Sequence, residues 1–151
     1  MNRSSMPCAR PARWLVVVFA VLLVAACAGR DGPPAPLAGT VWNAKEADGQ
    51  NFVPLKGGRD AHLRLDARKK RATGYSGVNS FSGTYEASAA GLKFGPLAAT
   101  RRAGPPAAMA FESAYFKALA ATRSYRISGD TLELLDAQGE VRARLEALPP
   151  L

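Results

Sequence analysis

From Thr40 onward the chain alternates apolar and polar residues in short runs closed by glycine- or aspartate-containing turns. Only one stretch is long enough and poor enough in glycine and proline to be a helix. Alternation of period two sends successive side chains to opposite faces, so each run is built as a strand with one buried face. Thr40 to Ala47 sets Trp42 and Ala44 against Asn43 and Lys45, ahead of an Asp48-Gly49 turn. Ala61 to Asp66 sets Leu63 and Leu65 against His62, Arg64 and Asp66. Further strands are expected at Ala72 to Ser76, Ser80 to Ala87 and Leu92 to Phe94, with Gly91 separating the last two. Nearer the C-terminus, Tyr125 and Ile127, Leu132 and Leu134, and Val141, Ala143 and Leu145 outline a three-strand meander, with turns at Ser128-Gly129-Asp130 and Gln138-Gly139.

The exception is Ala107 to Thr122, which follows Gly104-Pro105-Pro106, is rich in alanine and has no β-branched residue before its last position. That composition predicts a helix. Met109, Glu112, Phe116 and Leu119 fall near one face by steps of three and four, with Phe111, Tyr115 and Ala118 alongside. Packing of these aromatics on the sheet is the plainer reading, and a ligand-binding stripe is the alternative. The fold class is therefore α+β, mainly antiparallel β with one packed helix.

Upstream of the domain, the chain looks like an export signal. Arg3, Arg10 and Arg13 precede an apolar run of 11 residues, Trp14 to Val24, which ends in small residues before Cys27. Crossing a bilayer takes about 20 apolar residues, so this run is short for a permanent span. Val24-Ala25-Ala26-Cys27 resembles the bacterial lipobox, in which the cysteine is lipidated and becomes the first residue of the mature protein. The alternative is an ordinary cleaved signal with an incidental cysteine. Residues 1–26 are thus expected to be a lipoprotein signal peptide, 27–36 a Pro/Gly-rich tether and 37–148 a single domain. Extended, the tether would span roughly 20 to 30 Å. Ala28 after the cysteine, by resemblance to enterobacterial sorting, favours the outer membrane facing the periplasm. Without the three signal arginines the chain keeps 17 Lys and Arg against 12 Asp and Glu, a net of +5. Besides Cys27 the only cysteine is Cys8, inside the signal, so the mature domain has no disulfide or thiolate site.

The most informative run is Gly74-Tyr75-Ser76-Gly77-Val78-Asn79-Ser80-Phe81-Ser82-Gly83-Thr84-Tyr85. Phe81, Gly83 and Tyr85 share one side of a strand, where Gly83 either leaves room between two rings or lets the strand bend. Gly77 and Asn79 suit a turn with positive φ. A buried Asn79 would need its amide bonded, with loop backbone as the expected partner.

Together with Leu37-Ala38-Gly39-Thr40-Val41-Trp42, Leu97 to Thr100, the helical Glu112, Phe116 and Leu119, and Tyr125 to Leu132, that run resembles the META domain of HslJ-like proteins. The resemblance covers nearly the whole mature domain. It implies a compact, cracked-barrel-like sheet with one helix packed on it, in envelope lipoproteins linked to stress or antibiotic tolerance and without an established enzymatic activity. By further analogy the fold is similar to that of secretin pilot lipoproteins, which bind a partner segment or lipid. Family members commonly carry cysteines where this chain has Val78 and Gly104, and the joint loss fits a replaced disulfide.

No catalytic set emerges from the remaining residues. His62 lies two residues after Asp60, too few ligands for a metal centre. Ser113 and Lys117, four apart on the helix, lack an oxyanion feature and read as a surface pair. No cofactor and no metal are expected, and an enzyme such as an uncharacterised hydrolase is the minority reading. Arg68, Lys69, Lys70 and Arg71 form either a solvated hairpin turn or a contact for an anionic surface. Nucleic acid is not an expected partner, because an exported protein seldom meets it and the cluster has no interleaved aromatics. The expectation is a monomeric, membrane-tethered module that binds an envelope protein segment or lipid, or a structural lipoprotein with no specific ligand.

Overall fold

In the computed structural model, which describes residues 33–89 and 91–148, nine antiparallel strands and one helix surround a single core. The strands are β1 (Val41–Ala47), β2 (Gln50–Asn51), β3 (His62–Asp66), β4 (Arg71–Tyr75), β5 (Ser80–Ala87), β6 (Leu92–Ala99), β7 (Ser124–Ser128), β8 (Thr131–Leu135) and β9 (Val141–Ala147). The helix, α1 (Pro106–Ala121), connects β6 to β7. Along the sheet the order is β6-β5-β4-β3-β1-β9-β8-β7, with the short β2 folded back on β1. The sheet curls until its two outermost strands meet at one point, where Gly91 bridges Ser124 and the Leu92 amide donates to the Arg123 carbonyl at 3.1 Å. The antiparallel strands are those expected from the alternation, and the cracked half-barrel is the one the family resemblance implies.

The inward positions are the ones the alternation marks. Trp42, Leu63, Leu65, Leu132, Leu134 and Leu145 are completely buried. Burying an aliphatic side chain of this size is worth about 1.5 to 3 kcal/mol. The Trp42 indole N–H donates to the Leu37 carbonyl at 3.0 Å, which satisfies its one polar atom and ties the entering chain to the core. Contact with the domain begins slightly earlier, since the Ala35 amide donates to the Gly129 carbonyl at 3.0 Å. Cys27 and the signal-like run lie outside the described residues.

Three features differ from the sequence reading. β6 continues past Phe94 to Ala99, because Gly95 and Pro96 form a bulge opposite Thr84 instead of ending the strand. A proline is tolerated there because β6 is an outer strand. β2 has only two residues and no alternation to reveal it. Finally, the buried face of α1 centres on Phe111, Glu112, Tyr115, Ala118 and Leu119, while Met109 and Phe116 lie half-buried on its flanks.

Gly83 leaves room, not between two rings but for the adjoining strand. The β5–β6 register shifts between Gly83 and Tyr85, and a Cβ at Gly83 would lie 2.5 Å from the Pro96 carbonyl oxygen. The missing side chain thus makes room for the neighbouring backbone.

Candidate functional site

The sheet's concave side is filled. Trp42, Phe81 and Tyr85 point into it and are buried at 0 %, 4 % and 4 % exposure. Phe81 packs edge-on against both Tyr115 and Phe116 of α1, with centroids 5.9 and 5.4 Å apart, which seats the helix on the inner side of β5. Between β6 and α1 a shallow groove of about 320 Å³ remains, lined by Phe94, Gly95, Pro96, Leu97, Phe116 and Ala120.

The densest polar chemistry is a buried cluster that joins three segments far apart in sequence. Glu112, on the inner face of α1, accepts from the Asn79 amide at 3.0 and 3.1 Å and from the Ser76 hydroxyl. The Asn79 amide also donates to the Arg102 carbonyl at 3.1 Å, and its carbonyl oxygen accepts from the Thr100 hydroxyl at 2.8 Å and the Arg102 amide at 2.7 Å. Ser76 Oγ in turn accepts the Asn79 backbone N–H at 3.0 Å. Asn79 thus saturates a full set of donors and acceptors, as a buried amide must. Loop backbone is part of that set, as expected, but the strongest acceptor is a helix carboxylate, which no local pattern announces.

Asn79 does not serve as a positive-φ turn residue. That conformation belongs to Gly77 at φ +98, where a Cβ would press on the Phe52 ring at 2.9 Å. The chemistry available to the Ser76–Asn79–Glu112 cluster is positional: its hydrogen bonds clamp α1 to the β4–β5 turn and to the segment leading out of β6.

Elsewhere the sequence candidates separate. The His62 ring nitrogen meets the Asp60 backbone carbonyl at 3.0 Å, not its carboxylate. Among the described residues no three His, Cys, Asp or Glu side chains are arranged to hold a metal ion. Lys117 reaches across to Asp48 at 2.6 Å and not toward Ser113. That ammonium, aided by Arg142 against the cost of burial, holds the Asp48 carboxyl below its ordinary value.

Arg68, Lys69 and Lys70 lie in the four-residue turn between β3 and β4, and Arg71 opens β4 with its guanidinium on the Ser82 hydroxyl at 2.9 Å. All four are exposed. Asp66 Oδ1 accepts the Lys69 and Arg68 amides at 3.0 and 2.9 Å, which lowers its pKa and shapes the turn.

The META domain family model matches residues 35–148, the whole of this fold. A protein from Burkholderia xenovorans whose structure was solved by NMR is similar at 25% identity and TM-score 0.57, over 81% of this chain and 96% of that one. A second NMR structure shares the fold at 17% identity and TM-score 0.57, over 73% of this chain and 90% of its own. No curated protein matches the chain.

Proposed function

Because the chain belongs to the META domain family, we propose that it acts as a non-enzymatic envelope lipoprotein, held to a membrane through Cys27 and serving as a binding or stabilising module under envelope stress. The observation that carries this reading is how the domain uses its interior. The barrel is packed with its own aromatics, and its buried polar groups are largely spent on holding α1 in place. A catalytic site needs reactive groups facing a space that substrate can enter. One recessed apolar surface is the shallow groove beside Phe94, Leu97 and Phe116, suited to part of a peptide or an acyl chain.

The test uses cells carrying the intact chain or a Cys27→Ser version. Labelled palmitate is expected to enter only the first, and only the first is expected to restore tolerance to envelope-directed antibiotics in cells lacking the protein. Equal rescue by an unlabelled, soluble Cys27→Ser protein would sink the tethered module.

A further inference from the structure

The described domain is electrically divided. Residues 49–102, which include β2 to β6, carry ten Lys and Arg against three Asp and Glu; the other described residues carry six against eight. The ion pairs follow that division. Among the described residues, every one lies on β1, its following turn, α1 or the β7–β9 meander, where Lys45, Lys117, Arg126, Arg142 and Arg144 are neutralised. Among the described residues, no cation between Lys56 and Arg102 has a carboxylate within 4.0 Å.

The chain enters the domain beside the centre of this excess. The Gly39 amide donates to the Leu65 carbonyl at 2.9 Å. Ala38 and Gly39 line one cleft with Arg64, Leu65, Asp66 and Arg68. The β3–β4 turn and the entering segment therefore share one end of the barrel. The other end holds Tyr75, its ladder partner Ser80, and the Thr100 to Arg102 segment bonded to Ser80. Asp66 accepts two turn amides and is also stabilised by the charges of Lys69 and Arg64, so it offsets part of the excess while four basic side chains surround it.

We propose that this end is a docking face for the anionic headgroups of a lipid bilayer, with Arg64, Arg68, Lys69 and Lys70 as its contacts. The inference deepens the tethered reading and rests on it for the choice of a bilayer over another anion. Nine residues lie between Cys27 and Leu37, a reach of about 30 Å when extended. A lipid-held chain would keep the domain's entry end close to the headgroups, where each basic side chain adds roughly five-fold in affinity. The anchor confines the domain, and the turn orients it.

The experiment uses residues 28–151 without the anchor, so that vesicle binding reports the protein surface alone. The core and its hydrogen bonds lie within 35–148, and the Burkholderia xenovorans protein, in solution, consists of this domain over 96% of its length. Vesicles of phosphatidylcholine, with or without 30 mole per cent phosphatidylglycerol, would be sedimented with the protein at about 50 and 500 mM salt. Binding is expected only to the anionic vesicles and is expected to fall with salt.

Arg64→Gln/Arg68→Gln/Lys69→Gln should weaken it on the order of 100-fold. The same charge change at the far end, Lys56→Gln/Arg101→Gln/Arg102→Gln, should weaken it much less. Equal loss in both variants, or equal binding to uncharged vesicles, overturns the proposal. A polarity-sensitive dye on Ala67→Cys, but not on Gln138→Cys, should shift on the anionic vesicles, a readout that needs no charge variant to fold. A shift at Gln138→Cys alone overturns it too. Failure here with palmitate still entering Cys27 removes the docking face and leaves the tether.

Discussion

The Val78 side chain fills the space that a larger residue at Gly104 would need: a Cβ built at position 104 lies 2.8 Å from Val78 Cγ2 and 3.5 Å from Val78 Cβ. The second distance falls at the short end of the range a disulfide bridges. Gly104 has no left-handed φ, so its backbone accepts a cysteine. Val78→Cys/Gly104→Cys is therefore expected to oxidise readily and, by closing a loop of about 27 residues, to add about 3.5 kcal/mol. Gly104→Ala alone should destabilise, and Val78→Ala should relieve it when both are present. Denaturant midpoints with and without reductant measure both effects; a double cysteine variant that stays reduced in air would refute the geometry.

Asn79→Asp would set a second carboxylate about 3 Å from Glu112, while Thr100 and Arg102 keep their bonds to the other oxygen. Two such groups cannot both be ionised in a buried site. The variant is expected to lose about 3 kcal/mol at neutral pH. The loss should shrink as pH falls and the introduced carboxyl takes up a proton. Urea melts at pH 7 and pH 4 would show the gap between variant and parent narrowing; a constant gap would mean the site is wet.

Asp48 is held by Lys117 and Arg142, and its pKa is lowered on folding. A folded pKa below the unfolded value means stabilisation that is complete above the unfolded value, near 3.9, and lost as pH falls through the folded one. Asp48→Asn keeps the positive φ of 48 acceptable and should cost ~1 kcal/mol at pH 7. Thermal melts of parent and variant should converge at acid pH. Divergence there would show that the cost is not electrostatic.

Tyr115 is completely buried between Phe111 and Phe81, and its hydroxyl has no hydrogen-bond partner among the described residues. Burial pushes its pKa up. Removing an unsatisfied buried polar atom while keeping the ring should help, so Tyr115→Phe is expected to gain about 1 kcal/mol. A lower melting temperature would reveal a partner for the hydroxyl.

The strands were legible wherever alternation ran for four or more residues, as at Leu63 and Leu65 or Leu132 and Leu134. A sheet with one filled face leaves no other place for those side chains. β2 was invisible because two residues carry no period, and the end of β6 was hidden because Gly95-Pro96 reads as a break until a bulge accommodates it. The turn carrying Arg68, Lys69 and Lys70 was readable from its charge and position. The Ser76–Asn79–Glu112 cluster was not, because its members lie up to 36 residues apart. One signal did exist: Glu112 is a carboxylate between Phe111 and Tyr115 on an apolar face, and a buried charge there requires donors from elsewhere.

α1 begins at two prolines without a side-chain cap, and neither its first turn nor its last carries a charge that complements the helix dipole. Its sixteen residues therefore hold their shape on borrowed support, from the sheet beneath and from Glu112's partners. Loss of that one carboxylate would leave the Ser76 hydroxyl and the Asn79 side-chain amide short of an acceptor, while Phe111, Tyr115 and Leu119 keep the segment seated on the sheet. The polar coupling between α1 and the β4–β5 turn thus runs through a single side chain.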